Sequence, residues 1–99
     1  MTEPSRDEVD RMTGPVLLEF GATWCPHCQA IQAPLAEALA GRPGVRHIRV
    51  EDGKGKPLGR SFRVKLWPTL VFMRDGQPIN QLVRPPAEEI AAAFAEFAP

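Results

Sequence analysis

The only two cysteines of this 99-residue chain lie three positions apart, in the segment Cys25-Pro-His-Cys28. The apolar run 16–22 before them predicts a buried strand, and the segment after them predicts a helix. Cys25 would then lie near the helix N-cap, where free backbone N–H groups and the helix dipole favour a thiolate. Cysteines at this spacing can also close a disulfide across one turn. The pattern indicates a reversible dithiol, with a structural disulfide or half of a metal site as alternatives.

Length and composition predict one small domain over residues 1–99. Hydrophobic residues make up 43% of the chain, which is enough for one modest core, and no shift in composition divides it. The charged segment 1–8 lacks the apolar run of a secretory signal, and no stretch suits a membrane span. We therefore expect a cytoplasmic protein that binds no membrane, with cysteines that are catalytic rather than structural.

The net charge is zero, but the charges are unevenly distributed. Between positions 42 and 65 there are eight basic residues and two acidic ones. Such a region could steer an acidic partner, and the alternative is that these residues are the solvated faces of a strand and a helix. The chain shows no interleaved aromatics and no nucleic-acid motif, so a nucleic-acid partner is not expected.

Hydrophobic periodicity and turn residues predict the order α-β-α-β-α-β-β-α. The helices are expected at 5–12, 26–40, 58–62 and 87–97, and the strands at 16–22, 45–50, 69–73 and 79–83. Ser5 and Glu8 form a capping box for the first helix, and Pro34 should kink the second. A right-handed crossover makes the first two strands parallel, and Asp75-Gly76 joins the last two as a hairpin. This predicts an α/β fold, a mixed sheet with helices on both faces.

Four features of the chain resemble the thioredoxin family, and they occur in the same order. They are Trp-Cys-x-x-Cys at 24–28, a helix proline at 34, Trp-Pro-Thr at 67–69 and a hairpin turn at 73–76. The resemblance covers 15–97 and implies a thioredoxin-like three-layer α/β/α fold. About four strands are expected, because the residues before Val16 are predicted to be helix and turn. The family's first N-terminal strand would then be missing.

The resemblance also implies a thiol–disulfide oxidoreductase without a cofactor or a metal. Cys25, at the exposed helix end, would attack a substrate disulfide, and the more buried Cys28 would resolve the mixed disulfide. Pro68 resembles the family's cis-proline facing the dithiol, and an X-Pro bond is the kind in which cis is accessible. In that position it would present the backbone of Trp67 to a bound peptide.

Two parts of the site are expected to tune the dithiol. Pro26 and His27 resemble the strongly oxidising periplasmic disulfide oxidases, whereas thioredoxins carry Gly-Pro between the cysteines. An imidazole beside Cys25 would stabilise its thiolate and raise the reduction potential above that of thioredoxin. Glu19 aligns with the family's buried acid beneath the second cysteine. Burial should raise the pKa of Glu19 and allow it to relay the proton of Cys28, unless Glu19 lies at a solvated strand end.

Three residues are expected at the substrate groove. Trp24 should shield and pack the dithiol, while Trp67 replaces the small or aliphatic residue usual before the cis-proline. Arg84 stands where thioredoxins have a groove glycine, so it would narrow or charge the groove. The expected partners are client proteins or small thiols, joined through transient mixed disulfides, and an electron donor such as a reductase or glutathione. The chain itself is expected to be a monomer.

Two other kinds of function remain as alternatives. A dimer could share Zn²⁺ or an iron–sulfur cluster between its two Cys-x-x-Cys pairs, since one chain supplies only two such ligands. A non-catalytic interaction module would keep the fold without redox turnover. Covalent haem is disfavoured because Gln29, not histidine, follows Cys28.

Overall fold

The structure is a computed structural model and describes residues 3–99. Residues 1 and 2, which the expected domain 1–99 and the charged segment 1–8 include, lie outside the described residues. The helices of the described part are α1 (Arg6–Asp10), α2 (Pro26–Ala30), α3 (Gln32–Ala40), α4 (Pro57–Ser61) and α5 (Ala87–Phe97). Its strands are β1 (Pro15–Gly21), β2 (Arg46–Glu51), β3 (Thr69–Arg74) and β4 (Gln77–Val83).

The four strands form one mixed sheet in the order β2-β1-β3-β4. β1 runs parallel to β2 and antiparallel to β3, and β3 pairs antiparallel with β4. This confirms the predicted fold class and strand directions. Residues 3–14 contain α1 and no strand, as expected for a sheet without the family's first strand.

Each face of the sheet carries its own hydrophobic core, because successive side chains of a strand point to opposite faces. On one face, Leu18 and Phe20 of β1 pack with Leu58 of α4. On the other face, Leu17 packs with Leu35 of α3 and with residues of α5. β1 is therefore covered on both sides, which explains its unbroken apolar run and gives the three layers.

Local sequence signals account for the helix breaks and turns. The predicted helix 26–40 is divided at Ile31, because Pro34 has no N–H to donate to the carbonyl of Ala30 one turn earlier. The capping box of Ser5 and Glu8 is present on a helix shorter than predicted. In the hairpin, the φ angles of Asp75 and Gly76 are 49° and 79°, as a two-residue type I′ turn requires.

All four strands have one terminus at the same end of the sheet, and the functional residues lie at this end. β1 and β2 end there, β3 begins there after Pro68, and β4 ends there before Arg84. Cys25 follows β1 and therefore lies at this same end, which we call the dithiol end. No helix within residues 3–99 has the length and apolar character needed to cross a membrane.

Candidate active site

Cys25 is the N-cap of α2, with extended backbone angles of φ −79° and ψ 119°. Its Sγ accepts a hydrogen bond from the backbone N–H of Cys28 at 3.4 Å, and Pro26 occupies the first turn, where no N–H is needed. A hydrogen bond from the Cys28 thiol does most to lower the pKa of Cys25 below its ordinary value of 9.0. The backbone N–H groups of Cys28 and His27 and the charge of Arg84 lower it further, against the opposing effect of burial.

The thiol of Cys28 is shifted in the opposite direction. Burial raises its pKa to about 11, and its hydrogen bond to Cys25 and the negative charge of Glu19 act in the same sense. The two cysteines are alike in exposed surface, since each residue exposes 5%. Burial is nevertheless the largest contribution to the raised pKa of Cys28, as expected of the more deeply placed sulfur. The two free thiols are therefore distinguished by this burial and by their hydrogen bonds and neighbouring charges.

Trp67, Pro68 and Arg84 form a compact unit beside the cysteines. The Trp67–Pro68 peptide bond is cis, as the resemblance predicts. The backbone N–H of Arg84 donates to the carbonyl oxygen of Pro68 at 2.9 Å, and its Nε donates to the carbonyl oxygen of Trp67 at 2.8 Å. Arg84 has a φ of 48°, a conformation that glycine adopts without cost, so its position suits the glycine expected there in thioredoxins.

The two tryptophans cover the site unequally. Trp67 packs against the buried cluster of Ala22, Cys25 and Cys28, whereas Trp24 is 68% exposed. The rings of Trp24 and Trp67 meet edge to face, with their centroids 5.7 Å apart. The shielding expected of Trp24 is therefore provided by Trp67, and Trp24 extends the apolar rim into solvent.

Glu19 is buried on β1, on the face covered by α3, and its carboxylate has three partners. Nε2 of Gln32 donates to Oε2 at 2.8 Å, Nε2 of His47 lies 2.7 Å from Oε1, and Nε of Arg49 lies 3.3 Å from Oε1. Since an ionised carboxylate only accepts, His47 must carry its hydrogen on Nε2. Gln32 also donates to the carbonyl oxygen of Cys28, which links Glu19 to the dithiol helix.

These partners overturn the expected pKa of Glu19. Burial acts to raise its pKa, as predicted, but the hydrogen bonds from His47 and Gln32 and the charges of His47 and Arg49 outweigh it. The pKa of Glu19 is therefore lowered, and Glu19 is an ionised carboxylate near neutral pH. The alternative of a solvated strand end is also wrong, because Glu19 is only 6% exposed.

Comparison with known proteins agrees with this geometry. The thioredoxin family model matches residues 2–96. This chain belongs to the thioredoxin family. The structure of thioredoxin 2 from Pseudomonas aeruginosa PAO1 in its reduced form is 54% identical, with a TM-score of 0.86 over 96% of this chain and 89% of that one.

Curated thioredoxins match with lower identity. One from Aspergillus fumigatus is 34% identical over 71 residues, and one from Mycolicibacterium smegmatis is 36% identical over 73 residues. These matches cover 72% and 70% of this chain, and 66% and 64% of the respective relatives. The chain thus matches a little under two thirds of the length of these thioredoxins.

Gln32 and His47, the hydrogen-bond partners of Glu19, were not predicted from the sequence. Both had a signal: Gln32 lies one helical turn after Cys28, and His47 lies two residues before Arg49 on the same face of β2. Nor was Asp52 predicted, whose Oδ2 accepts from Nε1 of Trp67 at 2.9 Å. Nothing local in the sequence marks that contact, because it depends on how two loops meet.

The imidazole of His27 forms no hydrogen bond with Cys25 in the part of the chain that the structure describes. His27 is exposed in the first turn of α2, and its backbone N–H, rather than a hydrogen bond from its ring, reaches Cys25 in the described chain. Within residues 3–99, no three His, Cys, Asp or Glu side chains converge as a metal site would require.

A cavity of about 590 Å³ opens beside Cys28. Its lining includes Glu19, Gln32 and Arg49, together with Gly21 at the end of β1. Gly21 is required there, since a Cβ at this position would lie 2.6 Å from the Sγ of Cys28. The arrangement gives the buried sulfur room and a polar route to solvent.

Proposed function

We propose that this thioredoxin-family protein is a thiol–disulfide oxidoreductase in which Cys25 attacks and Cys28 resolves. The observation that supports the proposal is the difference between the two thiols. The pKa of Cys25 lies below 9.0 while that of Cys28 is raised to about 11. Because the thiolate is the nucleophile, Cys25 is the sulfur that ionises at the lower pH and attacks first.

The exchange follows from these two sulfurs. The Cys25 thiolate attacks one sulfur of a client disulfide, and the client's other sulfur leaves as a thiolate and takes up a proton. Cys28 then loses its proton and attacks the Sγ of Cys25, which forms the Cys25–Cys28 disulfide and releases the second client thiol. Two electrons pass from the dithiol to the client, and the reverse sequence oxidises a client dithiol.

The surroundings of Cys28 support this order of events. Once Cys25 is part of a mixed disulfide, the hydrogen bond and charge by which it raises the pKa of Cys28 are lost. The ionised Glu19 continues to disfavour a Cys28 thiolate, so Glu19 acts as a positioning and electrostatic group, not as a protonated relay. The cavity lined by Glu19 and Gln32 provides the path by which the proton of Cys28 leaves.

Pro26 and His27 set the reduction potential in this proposal. The lowered pKa of Cys25 stabilises the reduced form, and the backbone N–H of His27 contributes to it. A positive charge on the imidazole would add to that effect. We expect a potential above that of thioredoxins with Gly-Pro between the cysteines. The variants His27→Gly and His27→Pro should have a lower reduction potential than the wild type, measured by equilibration with glutathione. An unchanged potential would contradict this role.

The proposal includes the substrates, the electron donor and the cellular location of the protein. Trp24, Trp67, Pro68 and Arg84 form the groove that receives client proteins or small thiols, and a reductase or glutathione returns the electrons. The protein acts as a monomer in the cytoplasm. Trp67 and Arg84 support a groove more restricted than that of a thioredoxin. The guanidinium of Arg84 already donates a hydrogen bond to the carbonyl oxygen of Trp67, so that oxygen is less available to a bound peptide.

Two cysteine variants test the proposed reaction directly. Cys25→Ser should abolish reduction of insulin by dithiothreitol above the uncatalysed rate, because the chain has no other cysteine outside this pair. Cys28→Ser should accumulate mixed disulfides that are visible by mass spectrometry of the intact protein. Normal turnover by Cys28→Ser would contradict the assigned order, and an inactive wild-type protein would contradict the function itself.

A further inference from the structure

Five basic side chains surround a depression of about 500 Å³ at the dithiol end of the sheet. The loop between β2 and α4 contributes the first two, and α4 and the segment after it contribute the others. We call this feature the basic depression, and its basic residues are Lys54, Lys56, Arg60, Arg63 and Lys65. Asp52 contributes the carboxylate in its lining.

The backbone displays these charges outward. The N–H of Lys56 donates to the carbonyl of Gly53 at 3.1 Å, and Gly55 has a φ of 80°, so residues 53–56 form a tight turn. Arg63 follows α4 with a φ of 59°. All five basic residues of the depression are exposed.

The charges of the basic depression are not neutralised within the part of the chain that the structure describes. None of its five basic side chains forms an ion pair or donates a hydrogen bond to residues 3–99. Elsewhere, arginines such as Arg42, Arg74 and Arg84 donate to backbone carbonyls of the protein. The one carboxylate in the lining, that of Asp52, accepts from the indole of Trp67.

The basic depression is linked to the redox site through Asp52. The backbone N–H of Asp52 donates to the carbonyl of Gly21 at 2.9 Å, and its carboxylate holds Trp67 beside the cysteines. Lys65 lies two residues before Trp67 in the chain. A polypeptide with its disulfide at Cys25 would therefore have part of its length next to the depression.

We propose that the basic depression binds an acidic segment that flanks the disulfide of a client protein. The proposal deepens the proposed oxidoreductase function and rests on it for the exchange step. Several like charges without partners create a local field that attracts anionic segments and accelerates their association. This protein should therefore exchange fastest with clients that carry Asp or Glu beside the reactive cystine.

A pair of synthetic disulfide peptides tests the preference. The two peptides share one sequence, except that four glutamates flank the cysteine on each side in one and four glutamines in the other. At low salt, reduced wild-type protein should react about tenfold faster with the glutamate peptide, and salt should remove the advantage. Equal rates for the two peptides at low salt would overturn the proposal.

Charge-reversal variants locate the effect. Lys54→Glu combined with Lys56→Glu should abolish or invert the preference for the glutamate peptide. Arg11→Glu combined with Arg46→Glu is the charge-matched control, because both residues are exposed and lie before β1 and at the start of β2, at the opposite end of the sheet. Retention of the preference in the double lysine variant, or equal loss in the double arginine control, would show that the basic depression is not responsible.

Two further measurements separate this proposal from the oxidoreductase function. A neutral dipyridyl disulfide reports the exchange alone, so failure to react with it contradicts the function and not the docking surface. Tryptophan fluorescence reports binding alone, because Trp67 adjoins the depression. It should respond to a cysteine-free glutamate peptide at low salt and less in the double variant. No response, or tighter binding of an oligonucleotide of equal charge, would overturn the acidic-peptide proposal.

Discussion

Cys25 and Cys28 expose the same small fraction of their surfaces, yet their thiol pKa values are shifted in opposite directions. Burial acts most strongly on Cys28, which also donates a hydrogen bond to Cys25 and lies near an ionised carboxylate. Cys25, at the N-cap, instead receives hydrogen bonds from the first turn of α2. A helix N-terminus stabilises negative charge on the residue that caps it. The two cysteine side chains are chemically identical, so their different surroundings at the junction of β1 with α2 are what give them different roles in the exchange.

The Glu19 carboxylate should stabilise the fold at neutral pH. Glu19→Gln removes a buried charge whose partners His47 and Arg49 stay in place, so it should lower the free energy of unfolding by about 1–3 kcal/mol near pH 7. Because folding lowers the pKa of Glu19, its contribution is fully present above the ordinary value of 4.5 and is lost as pH falls through the lower folded-state pKa.

Denaturant midpoints of the wild-type protein and Glu19→Gln across pH measure this effect. The exposed residue Glu37 supplies the control, and Glu37→Gln should leave the profile unchanged. A Glu19→Gln variant more stable than the wild type at pH 7 would restore the raised pKa that the sequence suggested.

The sequence favoured a buried Glu19 over a solvated strand end, but it did not show how the charge of Glu19 is stabilised. Burial followed from the apolar run around it, and the pKa was expected to rise for that reason alone. The partners depend on the register of β1 against β2, which pairs Glu19 with Arg49. A shift of one residue would have moved both basic side chains to the other face, and no local signal fixes that choice.

At the scale of elements, the junction of β1 with α2 sets the geometry of the dithiol. Most elements could be predicted, because periodicity, the capping residues and Pro34 each act locally. The break at Ile31 makes Gln32 the first residue of α3, and from there its amide reaches both Glu19 and the carbonyl of Cys28. The contacts of Trp67 with Asp52 and Arg84 could not be predicted, since they join loops distant in sequence.

The close packing of Gly21 on Cys28 predicts a large cost for a small side chain. Gly21→Ala places a Cβ 2.6 Å from the Sγ of Cys28, so strand or helix must shift, and the unfolding free energy should fall by about 1–3 kcal/mol. Gly41→Ala is the control, because a Cβ there meets nothing within 4 Å and its φ is −89°. The control should stay within about 0.5 kcal/mol of wild type, and equal midpoints for both variants would refute this packing argument.

At the scale of the whole molecule, one sheet separates two cores while its dithiol end carries the chemistry. The cysteines, the cis-proline loop, Arg84 and the basic depression all lie where β1, β2 and β4 end and β3 begins. The sequence showed a basic region, but only the fold shows that five of its residues lie at the same end of the sheet as the cysteines. The cores hold this edge in place, so the stability of the site depends on packing far from it.

The aromatic cluster under α5 should therefore be essential to the fold. Phe94 is fully buried, with its ring centroid 5.3 Å from that of Phe72 and 6.1 Å from that of Phe97. Phe94→Ala should reduce the free energy of unfolding by about 3–5 kcal/mol, a large part of the total for a domain of this size. Chemical denaturation measures it against Leu66→Ala, at a site 49% exposed, and similar losses in both variants would argue against this core.

Alkylation of the reduced protein across pH tests the division of labour between the cysteines most directly. Short pulses of iodoacetamide, followed by peptide mass spectrometry, give a separate rate profile for each sulfur, since the rate follows the thiolate fraction. We expect Cys25 to be modified first, with a midpoint below pH 9.0, while Cys28 resists modification until about pH 11. Modification of Cys28 at the lower pH, or profiles that coincide, would contradict it.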